Sequence, residues 1–94
     1  MQPPDITRVF KGAQMEFEVE IVFANEGNQS PEEAHDHEEI IVVTEGVIDL
    51  TRGPGTEAER YSKYDSVVLP PDTMHQISVV EAPARLVIIH PERS

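Results

Sequence analysis

The chain has 94 residues, which is enough for one small domain and too few for two. Seven Lys and Arg against 18 Asp and Glu give a formal net charge of −11, which argues against nucleic-acid and anionic-membrane partners, since both require a cationic face. The absence of cysteine excludes disulfides and thiolate ligands, and no apolar run reaches the roughly 20 residues of a membrane span, so we expect one cytoplasmic domain covering residues 1–94.

The first predicted strand alternates apolar and acidic residues. From Met15 to Phe23 every second residue is apolar, and the residues between them include Glu16, Glu18 and Glu20. A period of two predicts a half-buried strand whose glutamates face water and whose apolar side chains face the core. Because a chain this short buries a thin core, we also expect a homodimer that forms through this strand or a sheet face.

Short strands continue along the rest of the chain. Ile40–Thr44 and Val47–Thr51 are separated by Glu45-Gly46, which predicts a tight hairpin. Ser66–Leu69 ends at Pro70-Pro71, because neither proline can donate to a strand ladder. The last two predicted strands, parted by Glu81-Ala82-Pro83, are Gln76–Val80 and Arg85–Ile89. Short strands without a helical stripe predict an all-β sandwich or barrel.

Two histidines and a glutamate alternate before the β-branched run. His35, His37 and Glu39 stand at i, i+2 and i+4, so on an extended chain they share the face of Ile41 and Val43, which is the interior. Burying these polar groups is costly unless they bind a cation. Imidazole and carboxylate ligands suit Fe, Mn, Ni, Co or Zn. The alternative interpretation is a solvated acidic loop.

These residues resemble the two motifs of the cupin family. The first motif runs glycine, histidine-x-histidine, three or four residues, glutamate, six residues and glycine, and it is matched here by His35, His37, Glu39 and Gly46. The second motif places a histidine after a proline turn, and it is matched by Pro70 and His75, with Asp72 in place of a glycine.

The resemblance spans residues 33–90 and implies a small double-stranded β-helix, or jelly-roll barrel, that holds one divalent metal by His35, His37, Glu39 and His75. Only one residue separates His37 from Glu39, and on a straight strand the Cα atoms of His35 and Glu39 would be about 13 Å apart. The segment must therefore bend near His37-Glu38, or one of these residues is not a ligand. Glu33, one step earlier on the same face, is a candidate substitute for Glu39.

Cupins include enzymes as well as binding modules, so the resemblance leaves two functions open. We expect a metal-dependent enzyme, such as a dioxygenase or isomerase, acting on a small carboxylate or sugar-like molecule, although the sequence identifies no catalytic residue. The alternative is a non-catalytic small-molecule binding or sensing module with a structural metal. His90, four residues before the chain ends, is interpreted as a surface residue.

Overall fold

The computed structural model describes residues 4–11 and 17–91, and for residues 7–11 it describes the backbone alone. Six strands lie in these ranges: β1 (Asp5–Lys11), β2 (Glu18–Ala24), β3 (Glu39–Thr51), β4 (Glu59–Ser62), β5 (Ser66–Leu69) and β6 (Gln76–His90). The same ranges contain no helix, which confirms the all-β prediction. Accordingly, nothing in the described part of the chain is a helix capable of crossing a membrane.

All the strand pairs are antiparallel, and two long strands connect them. The order is β1-β2-β6-β3-β4, and β5 pairs with the beginning of β3. The first half-sheet contains β1, β2, the end of β6, the beginning of β3 and β5. The second half-sheet contains β4, the end of β3 and the beginning of β6; Gln29 is bridged to Ser78 in β6, and Glu33 is bridged to His75 just before it. Ten buried apolar residues form the core between the half-sheets.

The predicted hairpin at Glu45-Gly46 is wrong, because β3 continues through it as one strand. Gly46 has a φ of 79°, and its backbone passes close to the backbone of Pro83 in β6. The two predicted strands at 76–80 and 85–89 are likewise the single strand β6. Irregular pairing of β3 with β6 around Gly46 lets both strands pass from one half-sheet to the other, which is a usual role for a bulge with glycine.

The predicted orientation of β2 is also wrong. Glu20 is only 6% exposed and Glu18 is buried with it, whereas Ile21 is 42% exposed. Met15 and Glu16 lie outside the described residues. Because side chains alternate with a period of two, choosing the other face inverts every position of the strand. The end predicted for β5 is confirmed, since that strand stops at Leu69 before the two prolines.

Candidate metal centre

The backbone places Glu33 and His75 side by side. The amide of Glu33 donates to the carbonyl of His75 at 3.0 Å, and the amide of His75 donates back to Glu33 at 2.9 Å. Residues directly opposite each other in an antiparallel pair project to the same face. The turn after β5 positions a third residue, because the amide of Asp72 donates to the carbonyl of His35 at 2.7 Å.

The side chains of these residues converge at one point. Glu33, His35 and His75 each offer a ligand atom, and the three atoms lie within 4.8 Å of one another. Glu39, the first residue of β3, places its Oε2 3.0 Å from the Nε2 of His75. Ligand atoms about 2.1 Å from an ion are about 3.0 Å apart at a right angle and about 4.2 Å apart when opposite. The cluster thus needs only a small contraction to hold one divalent cation.

One carboxylate oxygen of Glu39 makes no hydrogen bond among the described residues. Its side chain is 4% exposed, and Oε2 is buried without a hydrogen bond. The Nε2 of His75 is near enough but is not aligned for a hydrogen bond, so we treat this contact as an ion pair. The Nδ1 of His75 contacts the carbonyl of Thr73 at 3.0 Å, and donation there directs Nε2 towards Glu39. A cation would satisfy both atoms.

Burial and the neighbouring charges shift the pKa values of the candidate ligands in different directions. Burial lowers the pKa of His35, and it prevails over the opposite effects of Glu39 and Glu33. Burial alone would raise the pKa of Glu39, but the nearby imidazoles, His75 first among them, lower it overall. The pKa of His75 is raised, because its contacts with Glu39 and the Thr73 carbonyl outweigh burial. Glu39 is therefore anionic and His35 neutral near pH 7, whereas His75 must lose its proton to ligate.

The structure turns His37 towards a different group. The chain bends at residues 36 and 37, close to His37-Glu38, where the sequence spacing predicted either a bend or a residue that is not a ligand. The Nε2 of His37 lies 3.0 Å from the Nδ1 of His90, and its Nδ1 lies 3.1 Å from Oδ1 of Asp36. His90 contacts Oε1 of Glu20 through its Nε2 at 2.5 Å. Both ring nitrogens of His37 are therefore engaged outside the cluster of Glu33, His35 and His75.

The prediction that His90 is a surface residue is wrong, because it is 1% exposed. It shares the inward face of β6 with Ile88 and Leu86, which are two and four residues earlier. That alternation was visible in the sequence, but the equally apolar residues between them left the choice of face open. The burial of Glu20 in β2 follows from the same contact, because its carboxylate lies against His90 in the interior.

Glu33 stands where the motif predicts its first histidine, once the motif is counted backwards from Gly46. Six residues lie between Glu39 and Gly46, and three residues lie between His35 and Glu39. His35 therefore takes the second histidine position of the motif. The first histidine position is then residue 33, and the leading glycine is Gly27. This placement restores the three-residue spacing, so the spacing itself was the signal for Glu33.

The cluster opens onto a cavity of about 210 Å³ between the half-sheets. Glu33, His35, Glu39 and His75 all line it, and so do Glu20 and His90. A small molecule in this cavity would touch the candidate ligands directly.

The fold and the cluster together define an all-β protein with a candidate His/Glu metal centre inside a jelly roll. The family model described as "Cupin domain" matches residues 19–90, and the chain belongs to that family. Tyr64 and Asp72 occupy two positions where the second cupin motif has glycine, and both keep a positive φ, of 76° and 61°. The backbone of the motif is thus retained although the residues differ.

Solved structures share this fold at low sequence identity. A cupin-like protein from Thermotoga maritima is 19% identical, with a TM-score of 0.84 over 97% of this chain and 71% of that one. An RmlC-like cupin family protein with a double-stranded β-helix fold from Methanocaldococcus jannaschii is 14% identical, with a TM-score of 0.82 over 97% and 84% of the two chains. KdgF from Halomonas sp. is 22% identical, with a TM-score of 0.81 over 97% and 81%. No curated protein matches the chain.

Proposed function

We propose that this protein is a divalent-metal-dependent cupin enzyme whose metal ligands are Glu33, His35, Glu39 and His75. The observation that carries the proposal is the buried Oε2 of Glu39, which lacks a hydrogen bond among the described residues and lies 3.0 Å from the Nε2 of His75. Glu33 takes the place predicted for His37, because the nitrogens of His37 contact His90 and Asp36 instead.

The donor set suits a borderline or hard divalent ion. Two imidazole nitrogens and two carboxylate oxygens accommodate Fe, Mn, Ni, Co or Zn, and four protein ligands leave positions open on a six-coordinate ion. When bound, the ion supplies Lewis-acid or oxygen-activating chemistry. Beside it, the imidazole of His90 contacts Glu20 and lies 3.8 Å from Oε1 of Glu39. The proposed substrate is a small polar molecule of the carboxylate or sugar-like class, and the proposed reaction is of the dioxygenase or isomerase type.

Metal analysis of three variants tests the ligand assignment. Glu33→Gln and His75→Gln should lose stoichiometric Mn²⁺ in equilibrium dialysis, because each removes a ligand atom from the cluster. His37→Gln is the matched control and should retain the metal. Mn²⁺ at about 100 times its dissociation constant stabilises a folded protein by about 2.7 kcal/mol, so the melting temperature of the wild type should rise by about 10–20 °C. Metal lost by His37→Gln and kept by Glu33→Gln would overturn the assignment.

Turnover separates the enzyme from the alternative, a binding or sensing module with a structural metal. The metal-loaded protein is assayed with a panel of small hydroxy and keto acids and sugars, and with His75→Gln as the metal-deficient control. We expect turnover that requires His75. Ligand binding without turnover across the panel would instead support the sensing module.

A further inference from the structure

The lining of the cavity is chemically divided. The candidate ligands form its polar part together with Glu20, His90, Asn28, Gln29 and Ser30. Most of the remainder is hydrocarbon, contributed by Val22, Ile48, Ile77, Val79, Leu86 and Ile88. The hydroxyl of Ser30, which also lines the cavity, accepts a hydrogen bond from the amide of Ile77 at 2.8 Å. The hydroxyl groups of a sugar would face this hydrocarbon wall and lose hydrogen bonds to water, which is costly.

The charges of the lining limit the substrate to one acidic group. Among the described residues around the cavity there is no lysine or arginine, whereas Glu20, Glu33 and Glu39 are all present. A bound cation would hold one carboxylate of a substrate. A second carboxylate or a phosphate would be buried without a cationic partner, which is strongly unfavourable.

The volume of the cavity limits the size of the hydrocarbon body that a substrate can have. Pockets for drug-sized ligands hold about 300–1,000 Å³, so a cavity of about 210 Å³ takes a smaller molecule. A dry apolar cavity of about 150 Å³ admits benzene. The space therefore accommodates a hydrocarbon body of about six carbons together with a chelating head.

We propose that the substrate is a small monocarboxylate with an oxygen on the α-carbon and a hydrocarbon body, rather than a sugar, a dicarboxylate or a phosphorylated compound. This inference rests on the proposed function, since the carboxylate and the α-oxygen would occupy the open positions of the metal. The hydrocarbon body packs against Ile48, Ile77 and Val79.

Calorimetry with the Mn²⁺-loaded protein tests this substrate class. The probes share one head group: glycolate, 2-hydroxybutyrate and 2-hydroxyhexanoate extend the body, and malate adds a second carboxylate. Each fully buried methylene strengthens binding about fourfold, so 2-hydroxyhexanoate should bind at least tenfold more tightly than glycolate. Malate should bind at least tenfold more weakly than 2-hydroxybutyrate.

Val79→Thr is the variant that tests the apolar wall, because threonine keeps the shape of valine and adds a hydroxyl to the wall. It should bind Mn²⁺ like the wild type and reduce the gain from glycolate to 2-hydroxyhexanoate. Affinity that is independent of body length in the wild type, or malate binding as tightly as 2-hydroxybutyrate, would overturn the inference. A protein that binds no Mn²⁺ would instead refute the proposed function, so the two failures are distinguishable.

Discussion

Replacing Gly46 by alanine should destabilise the fold far more than the same change at another glycine with the same backbone conformation. A Cβ on Gly46 would lie 2.6 Å from the carbonyl oxygen of Glu81 and 2.8 Å from the Cα of Ala84, and even closer to the carbonyl oxygen of Pro83. All three atoms belong to the backbone of β6, which pairs with β3 on both sides of this point. They cannot move without disturbing the ladder.

The magnitude has three parts. A left-handed conformation costs an L-residue about 1–2 kcal/mol. Relieving the overlap costs about 1–3 kcal/mol, as for other overpacked sites. Alanine also lowers the conformational entropy of the unfolded chain, which stabilises the folded state by about 0.4–1 kcal/mol. The net loss is about 1–5 kcal/mol, with a midpoint near 3 kcal/mol, against a total stability of roughly 5–14 kcal/mol for a chain of this length.

Gly55→Ala is the control, because Gly55 has a φ of 78°, close to the 79° of Gly46, and nothing lies within 4 Å of its Cβ position. This variant should lose only about 1 kcal/mol, since the conformational cost remains and the overlap does not. Urea unfolding monitored by circular dichroism measures both free energies. Equal losses for the two variants would refute the close approach of β3 and β6 at Gly46.

Three further predictions concern single side chains. The raised pKa of His75 means that its protonated form stabilises the metal-free fold below pH about 6.5 and that this stabilisation is lost as the pH rises through the folded-state value. The difference in unfolding free energy between wild type and His75→Gln should therefore shrink with rising pH in urea titrations, and a growing difference would contradict it. His90→Ala removes a buried imidazole that contacts Glu20 and His37, and the loss of these buried hydrogen bonds should cost about 1–3 kcal/mol, where a surface histidine would cost almost nothing in the same assay. Tyr64→Gly should raise the melting temperature in calorimetry, because Tyr64 is exposed with a φ of 76°, and an unchanged or lower value would mean that its packing outweighs the strain.

Much of the local structure was readable in the sequence. Alternation and β-branching predicted strands, Pro70 and Pro71 marked the end of β5, and the residue types in the cupin motifs predicted the family. Three of the four predicted ligands, His35, Glu39 and His75, lie in or beside the cluster. These features depend on the backbone chemistry of single residues or on short spacings, and distant partners do not alter them.

The errors have a common physical origin in long-range contacts. A glycine between two β-branched runs is compatible with a hairpin and with a bulge, and only the β6 backbone packed against Gly46 decides for the bulge. His75, three residues after a proline-rich turn, and His90, four residues before the end of the chain, look alike in the local sequence. Whether each of them is buried depends on the distant residue that it contacts. His90 is buried because Glu20, 70 positions away, meets it in the interior.

The sequence by itself determined which residues of this protein share a face of each strand, since alternation follows from the geometry of extended backbone. Which of the two faces turns inward was decided only by the tertiary structure. In β2 the interior received Glu18 and Glu20 together with Val22 and Ala24, whereas Ile21 was left on the outside. The reason is that a period of two makes the faces equivalent along the strand, so the choice depends on what the neighbouring strands present across the interior.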